Sequence, residues 1–169
     1  MIAYVFWHRA APRSDGYEER LVAFHAALAA HPPAGFRGSR AFRLDGAPWL
    51  GGEGTPYEDW YLVESWAALG ALNTAAVSGA RALPHDAVAA LSREGQGGVY
   101  APLHGAEPLA GEVSWLAKPA GTSYAEFHAQ LAGRPVWQRQ MVLGAAPEYV
   151  VEEPAVGWPA VTVRRDLVC

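Results

Sequence analysis

Eight short segments of this chain read as strands, and the order in which helical patterns interrupt them limits the fold more than any single motif. The first, IAYVFWHR at 2–9, is dense in β-branched and aromatic residues. FRGSRAFRL at 36–44, DWYLVE at 59–64 and GGVYAPL at 97–103 follow in the first half. EVSWLAK at 112–118, VWQRQMVL at 136–143, EYVVEE at 148–153 and AVTVRRDLV at 160–168 follow in the second. After the first strand, Asp15 with Glu18 three positions on predicts a capping box. Leu21, Phe24 and Leu28 supply an apolar stripe, and Pro32-Pro33 ends that helix. Ser65 is placed to cap a helix over 66–78, and a shorter helix starts near Pro84 and ends by Gly95. Ser123 with Glu126 repeats the capping box, Tyr124, Phe127 and Leu131 repeat the stripe, and Pro135 repeats the stop.

The second helix start belongs to a longer echo. AFHAALAAHP at 23–32 returns as EFHAQLAGRP at 126–135, and WYLVES at 60–65 returns as EYVVEE at 148–153. The first half therefore reads β-α-β-β-α-β, the ferredoxin-like unit. The second reads β-α-β-β-β, because PAVGWP at 154–159 leaves too little chain for a helix. The expectation is an α+β protein of two ferredoxin-like repeats whose antiparallel sheets face each other. Residues 1–108 form the complete repeat, with a long loop at 45–58. Residues 109–169 form a shortened repeat without its second helix, and both share one compact unit.

This order resembles the dimeric α+β barrel superfamily in a tandem-fused form. The resemblance implies helices packed outside two facing sheets. It also implies a range of relatives: cofactor-independent monooxygenases, haem-degrading monooxygenases, muconolactone isomerases, EthD-like proteins and members of unknown role. A fold does not choose among them. The haem-degrading relatives use an Asn on the first strand with Trp and His on the second helix. Here Trp66 and Asn73 fall on that helix, but the first strand has no Asn and His85 follows a proline break. Haem is not expected.

Composition narrows the classes further. Half the residues are apolar (51%) and 18% are charged, a globular balance. The net charge is −4, and Lys118 is the one lysine among 13 basic residues, the rest being scattered arginines. That pattern builds no basic stripe for nucleic acid or an anionic membrane. No apolar run reaches the roughly 20 residues that span a bilayer. Cys169 is the single cysteine, so neither an intrachain disulfide nor a cysteine metal cluster is available. No histidine pair has HxH or HExxH spacing. The expectation is a cytoplasmic monomer or homodimer with no cofactor and no metal.

Histidines carry most of the candidate chemistry. His8 ends the first strand on the same face as Tyr4 and Phe6, a fair cavity wall. His85 stands near a helix start, where the positive helix end favours a neutral ring able to act as a base. Its neighbour Asp86 is not expected to pair with it, since adjacent helix positions diverge. His25 and His128 lie at the rim of their apolar arcs and are expected to be helix-flank residues facing away from the barrel interior. Tyr61 is a candidate hydrogen-bonding partner. Tyr4, Phe6, Trp49, Tyr57, Trp115 and Arg139 are expected to line a ligand pocket, with loop 45–58 either a binding loop or a simple hairpin extension. The functional expectation is a protein that binds a small apolar or aromatic molecule between its sheets. Cofactor-independent monooxygenation or isomerisation, with His8 or His85 as base, is the enzymatic form. A non-catalytic, partner-binding pseudo-dimer with a filled interior is the alternative.

Overall fold

The computed structural model describes residues 1–105, 111–141, 146–152 and 157–169. Its strands are β1 (Ile2–Ala10), β2 (Phe36–Leu44), β3 (Pro56–Val63), β4 (Ser92–His104), β5 (Gly111–Leu116), β6 (Val136–Gln140), β7 (Tyr149–Glu152) and β8 (Ala160–Leu167). They make one closed antiparallel barrel in the order β1-β3-β2-β8-β5-β7-β6-β4. This corrects the expectation of two ferredoxin-like repeats with separate, facing sheets. β2 pairs with β8 from Phe42–Leu167 to Leu44–Arg165, and β4 pairs with β6 from Val99–Gln140 to His104–Val136. Those two seams give every strand two neighbours, and closure removes the unpaired edges that open sheets must protect.

The helices give an internal duplication no support either. α1 (Tyr17–Ala30) has 14 residues, whereas α4 (Tyr124–Gln130) has 7. Both α2 (Trp66–Ala76) and α3 (Ala82–Ala89) come from the first half. The two similar ten-residue stretches are helices that each lay Phe and Leu on a sheet. Packing chemistry is enough to account for their likeness.

Strand alternation sends one set of side chains inward, and every strand contributes. Trp7, Phe42, Trp60, Tyr100, Trp115, Trp137, Val150 and Val163 fill the barrel. Trp7 meets Trp115 edge-on at 5.3 Å, and Trp60 meets Trp137 at 5.2 Å. Glu58 also points inward. It accepts hydrogen bonds from the indole of Trp7 (2.8 Å), the indole of Trp60 (2.7 Å) and the guanidinium of Arg165 (2.7 Å). The Arg165 guanidinium lies over the Phe42 ring at 4.5 Å. Tryptophan, therefore, occupies the space where a ligand between two sheets was expected.

Loop 45–55 closes onto this interior. Ala47 and Leu50 are buried in the barrel core, with Trp49 packed beside Trp7 and Trp115. Arg9 ties the loop down through the carbonyls of Leu50, Gly51 and Gly54. Gly54 is required where the loop meets β1. Its φ is +104°, and a Cβ there would lie 2.3 Å from the Ala10 carbonyl oxygen.

Two smaller cores lie outside the barrel. Leu21, Phe24, Leu28, Leu72 and Val88 from α1–α3 pack on the outer faces of β1–β4, while Phe127 and Leu131 near α4 pack on Leu116, Val136 and Tyr149. Ser65 caps α2 by accepting from the Ala68 amide, and Ser123 with Glu126 forms the reciprocal capping box of α4. The expected box at Asp15 and Glu18 does not form. Gly16 takes a left-handed turn at φ 72°, and α1 starts at Tyr17. β4 begins at Ser92, earlier than expected, because Ser92 and Arg93 already pair with Ala10 and Arg9. The expected strand ends at 142–143 and 153, and residues 154–156 of PAVGWP, lie outside the described residues. Among the described residues no helix is long and apolar enough to cross a membrane.

Candidate functional site

The outward-facing set of β1 and β3 forms the floor of a cavity of about 710 Å³, beneath the helices and outside the barrel. Tyr4, Phe6 and His8 come from β1, Asp59 and Tyr61 from β3, and Ser92 and Val99 from β4. Leu21 and Phe24 of α1, Leu69, Leu72 and Asn73 of α2, and His85 and Val88 of α3 complete it. The size and the balance of many apolar walls with few polar groups suit a small-molecule site.

Glycines of β4 make room for the floor. A Cβ on Gly97 would lie 2.5 Å from the Tyr4 hydroxyl, and one on Gly95 would lie 2.8 Å from the tip of the Phe6 ring. The β1 rings therefore lie flat across β4 where it has no side chains. Gly97→Ala is expected to push the Tyr4 hydroxyl end into the cavity. Affinity for a flat aromatic probe, measured by calorimetry, should fall severalfold while the thermal midpoint moves little. Unchanged affinity would show that Tyr4 does not bound the ligand space.

The pairing of β1 with β4 is irregular beside His8. The register jumps from Trp7–Gln96 to Arg9–Arg93, a bulge in which Glu94 takes φ 55°. Bulges of this kind re-aim side chains next to sites. Beyond it, Ser92 stands within reach of α1.

Polar groups on the floor form one buried chain. His8 Nε2 lies 3.1 Å from Asp59 Oδ2, and the Tyr61 hydroxyl donates to the same oxygen at 2.9 Å. His8 Nδ1 lies 2.5 Å from the Tyr17 hydroxyl, which lies 3.0 Å from Ser92 Oγ. His25 Nε2 stands 3.7 Å from Asp59 Oδ1, too far for a hydrogen bond, while its Nδ1 meets Ser39 Oγ at 2.7 Å. His8 and Asp59 are 1% and 2% exposed, so this charge is out of reach of solvent screening.

Electrostatics fix the proton positions. Burial works to raise the Asp59 carboxyl, but the His8 and His25 imidazoles outweigh it and hold the group well below the usual carboxylate range. Asp59 is therefore an ionised acceptor, and His8 Nε2 must carry the proton it shares. In the tautomer with its proton on Nε2, His8 presents Nδ1 as an acceptor for the Tyr17 hydroxyl. Burial, followed by the Asp59 charge, pushes the Tyr61 and Tyr4 phenols up, and burial likewise raises Tyr17. All three remain protonated at neutral pH.

Several residues singled out from the sequence meet here. Tyr4, Phe6, His8, Tyr61 and His85 all line the cavity. Tyr57 stacks on His8 at 5.8 Å, with its hydroxyl turned to Glu18. Trp49 and Trp115 belong to the barrel core instead, and Arg139 donates to the Ala146 carbonyl at 2.7 Å. The expectation that His85 and Asp86 do not pair is corrected, since His85 Nδ1 and Asp86 Oδ1 are 3.0 Å apart. His25 faces away from the barrel interior, as expected, but is buried against Tyr61 and not left at the rim of its helix. Asp59, Tyr17 and Ser92 were not anticipated. The available signal was the pair Glu58-Asp59 entering an aromatic strand, because a charge inside a buried strand needs a partner. Among the described residues no group of three or more His, Cys, Asp or Glu side chains is arranged to hold a metal ion.

No family model matches the sequence, and no curated protein does. Among solved structures the chain is similar to one described as an anthrone oxidase-like protein, with 11% identity and a TM-score of 0.50. The match covers 97% of this chain and 72% of that one. At such identity the likeness shows the fold alone.

Proposed function

We propose that the cavity binds a flat, mostly apolar aromatic molecule and that the His8–Asp59 pair takes up a proton from it, opening a cofactor-independent oxygenation. The observation that carries this reading is the buried, ionised carboxylate held behind a histidine on the floor of a cavity of about 710 Å³. In such a site an anionic reaction partner gains from a fixed donor, here the phenol of Tyr4, more than it would in water. The fold shared with an anthrone oxidase-like protein makes anthrone the first compound to test. Loss of the hydroxyl proton from the enol tautomer of anthrone gives a delocalised anion, to whose former methylene carbon dioxygen adds. The resulting hydroperoxide loses water, so the methylene becomes a carbonyl and the second oxygen atom leaves as water. Oxygen is the oxidant, and the protein supplies position and a proton acceptor.

Anthrone binding is measured anaerobically by calorimetry, and oxygen uptake with anthraquinone formation is measured against a protein-free control. Saturable binding and turnover above the control are expected. His8→Ala and Asp59→Asn should keep most of the binding and lose about 10²–10⁴-fold in rate, the range of general acid–base catalysis. Turnover unaffected in both variants would refute the assignment of the proton to this pair.

A further inference from the structure

We propose that Ser92 is the group that meets the ligand's acidic hydroxyl, and that Ser92, Tyr17 and His8 form a proton wire ending beside Asp59. The inference rests on the cavity being a ligand site and names the chemistry of what enters it: an aromatic molecule with an ionisable hydroxyl, the enol form of an aromatic ketone included.

Geometry keeps His8 from acting on a ligand directly. One ring nitrogen is engaged by Asp59 at 3.1 Å and the other by Tyr17 at 2.5 Å. The ring is nearly parallel to Phe6 at 5.3 Å and to Tyr57 at 5.8 Å, so turning it would break two hydrogen bonds and two stacks. Tyr17 is 4% exposed and is not part of the cavity wall. Ser92 is part of it, and its hydroxyl oxygen lies 3.0 Å from Tyr17 and 2.9 Å from the Val88 carbonyl oxygen. The Ser92 hydroxyl has two acceptors within reach, the Val88 carbonyl and the Tyr17 oxygen; turned to Tyr17, whose own hydrogen faces His8, it completes the wire and leaves its oxygen as an acceptor for a ligand hydroxyl.

The transfer moves protons only. The ligand hydroxyl gives its proton to Ser92 Oγ, Ser92 passes its own to the Tyr17 oxygen, and Tyr17 passes its own to His8 Nδ1. The products are a ligand phenolate and an imidazolium whose other nitrogen already faces the Asp59 carboxylate. No heavy-atom bond changes and no electrons are transferred. The groups facing His8 are Asp59 and Tyr57 from β3, Tyr17 from α1 and Phe6 on its own strand, while Tyr61 and His25 meet Asp59. Asp59 is the one carboxylate among them.

4-Nitrophenol tests the wire, because it is yellow only when ionised. Bound to the wild-type protein, it should ionise about one pH unit lower than in buffer, a tenfold rise in phenolate. Tyr17→Phe, which lies behind the cavity wall, should bind it within about threefold of wild type, whereas Ser92→Ala, which loses the partner of the ligand hydroxyl, should bind it more weakly. Both should lose the shift. Nitrogen-15 shifts of His8, showing a proton on Nε2 in all three proteins, confirm that the fold around it is intact. A shift that survives in Tyr17→Phe overturns the wire while leaving the cavity as a binding site. Failure of wild-type protein to bind either 4-nitrophenol or anthrone overturns the ligand site, and the wire falls with it.

Discussion

Glu58→Ala is expected to lower stability by about 3–5 kcal/mol, the cost of breaking a buried ion pair from one side. The substitution removes the carboxylate that compensates Arg165 inside the barrel, together with the acceptor of two buried indole N–H groups. Each indole left without an acceptor adds about 1–3 kcal/mol of its own, although the terms overlap. Domains are stable by about 5–15 kcal/mol, so the variant should stand close to unfolding at 25 °C. Urea titration gives the loss directly. The double variant Glu58→Met, Arg165→Met should recover much of it, because two apolar side chains need no compensation. A loss below about 1 kcal/mol in Glu58→Ala would show that the pair does not hold the barrel.

Asp59→Asn should have the second largest effect, with a different signature in pH. In the folded protein Asp59 releases its proton more readily than an ordinary carboxyl does. Its contribution is therefore present in full above the unfolded value, about pH 4, and is lost as pH falls below it. Wild-type protein should lose stability between pH 5 and pH 3 faster than the Asn variant, whose acid limb should be flatter. At neutral pH the Asn variant should be less stable by about 1–3 kcal/mol, because a charge-assisted bond to His8 becomes a neutral one. Urea midpoints at pH 7, 5 and 3 for the two proteins test this. Parallel curves would mean that Asp59 is not the low-lying carboxylate.

Elements were legible where local chemistry decides them. β2 over 36–44 and the Ser123–Glu126 box rest on alternation and capping alone, and both appear as the sequence suggests. The start of α1 was misread because a glycine turn competes with the Asp15 box and prevails. Barrel closure was not legible. It depends on β2 meeting β8 and β4 meeting β6, contacts across more than a hundred residues and about forty, on which no local pattern reports. That gap misplaced the site. Trp115 and Trp49 look like a cavity wall until closure packs them against Trp7, whereas Tyr4, Phe6 and His8 share a face whichever way the sheet closes. The burial of His25 is not legible either, because it comes from Asp59 and Tyr61, residues of another element.

Glu58 and Asp59 are neighbours in sequence and face opposite sides of one strand. A slip of β3 by one residue would turn Glu58 toward the helices and Asp59 toward the tryptophans. Glu58 would leave Arg165 and both indoles, and Asp59 would leave both histidines, so a single error would forfeit two charge networks together. The dipeptide therefore ties the register of β3 to both faces of the sheet at once. It penalises misregistered barrels far more sharply than the flanking apolar residues do, since many of those fit either face. A one-residue insertion in the loop before β3 should for that reason be absorbed by the loop and not passed into the strand.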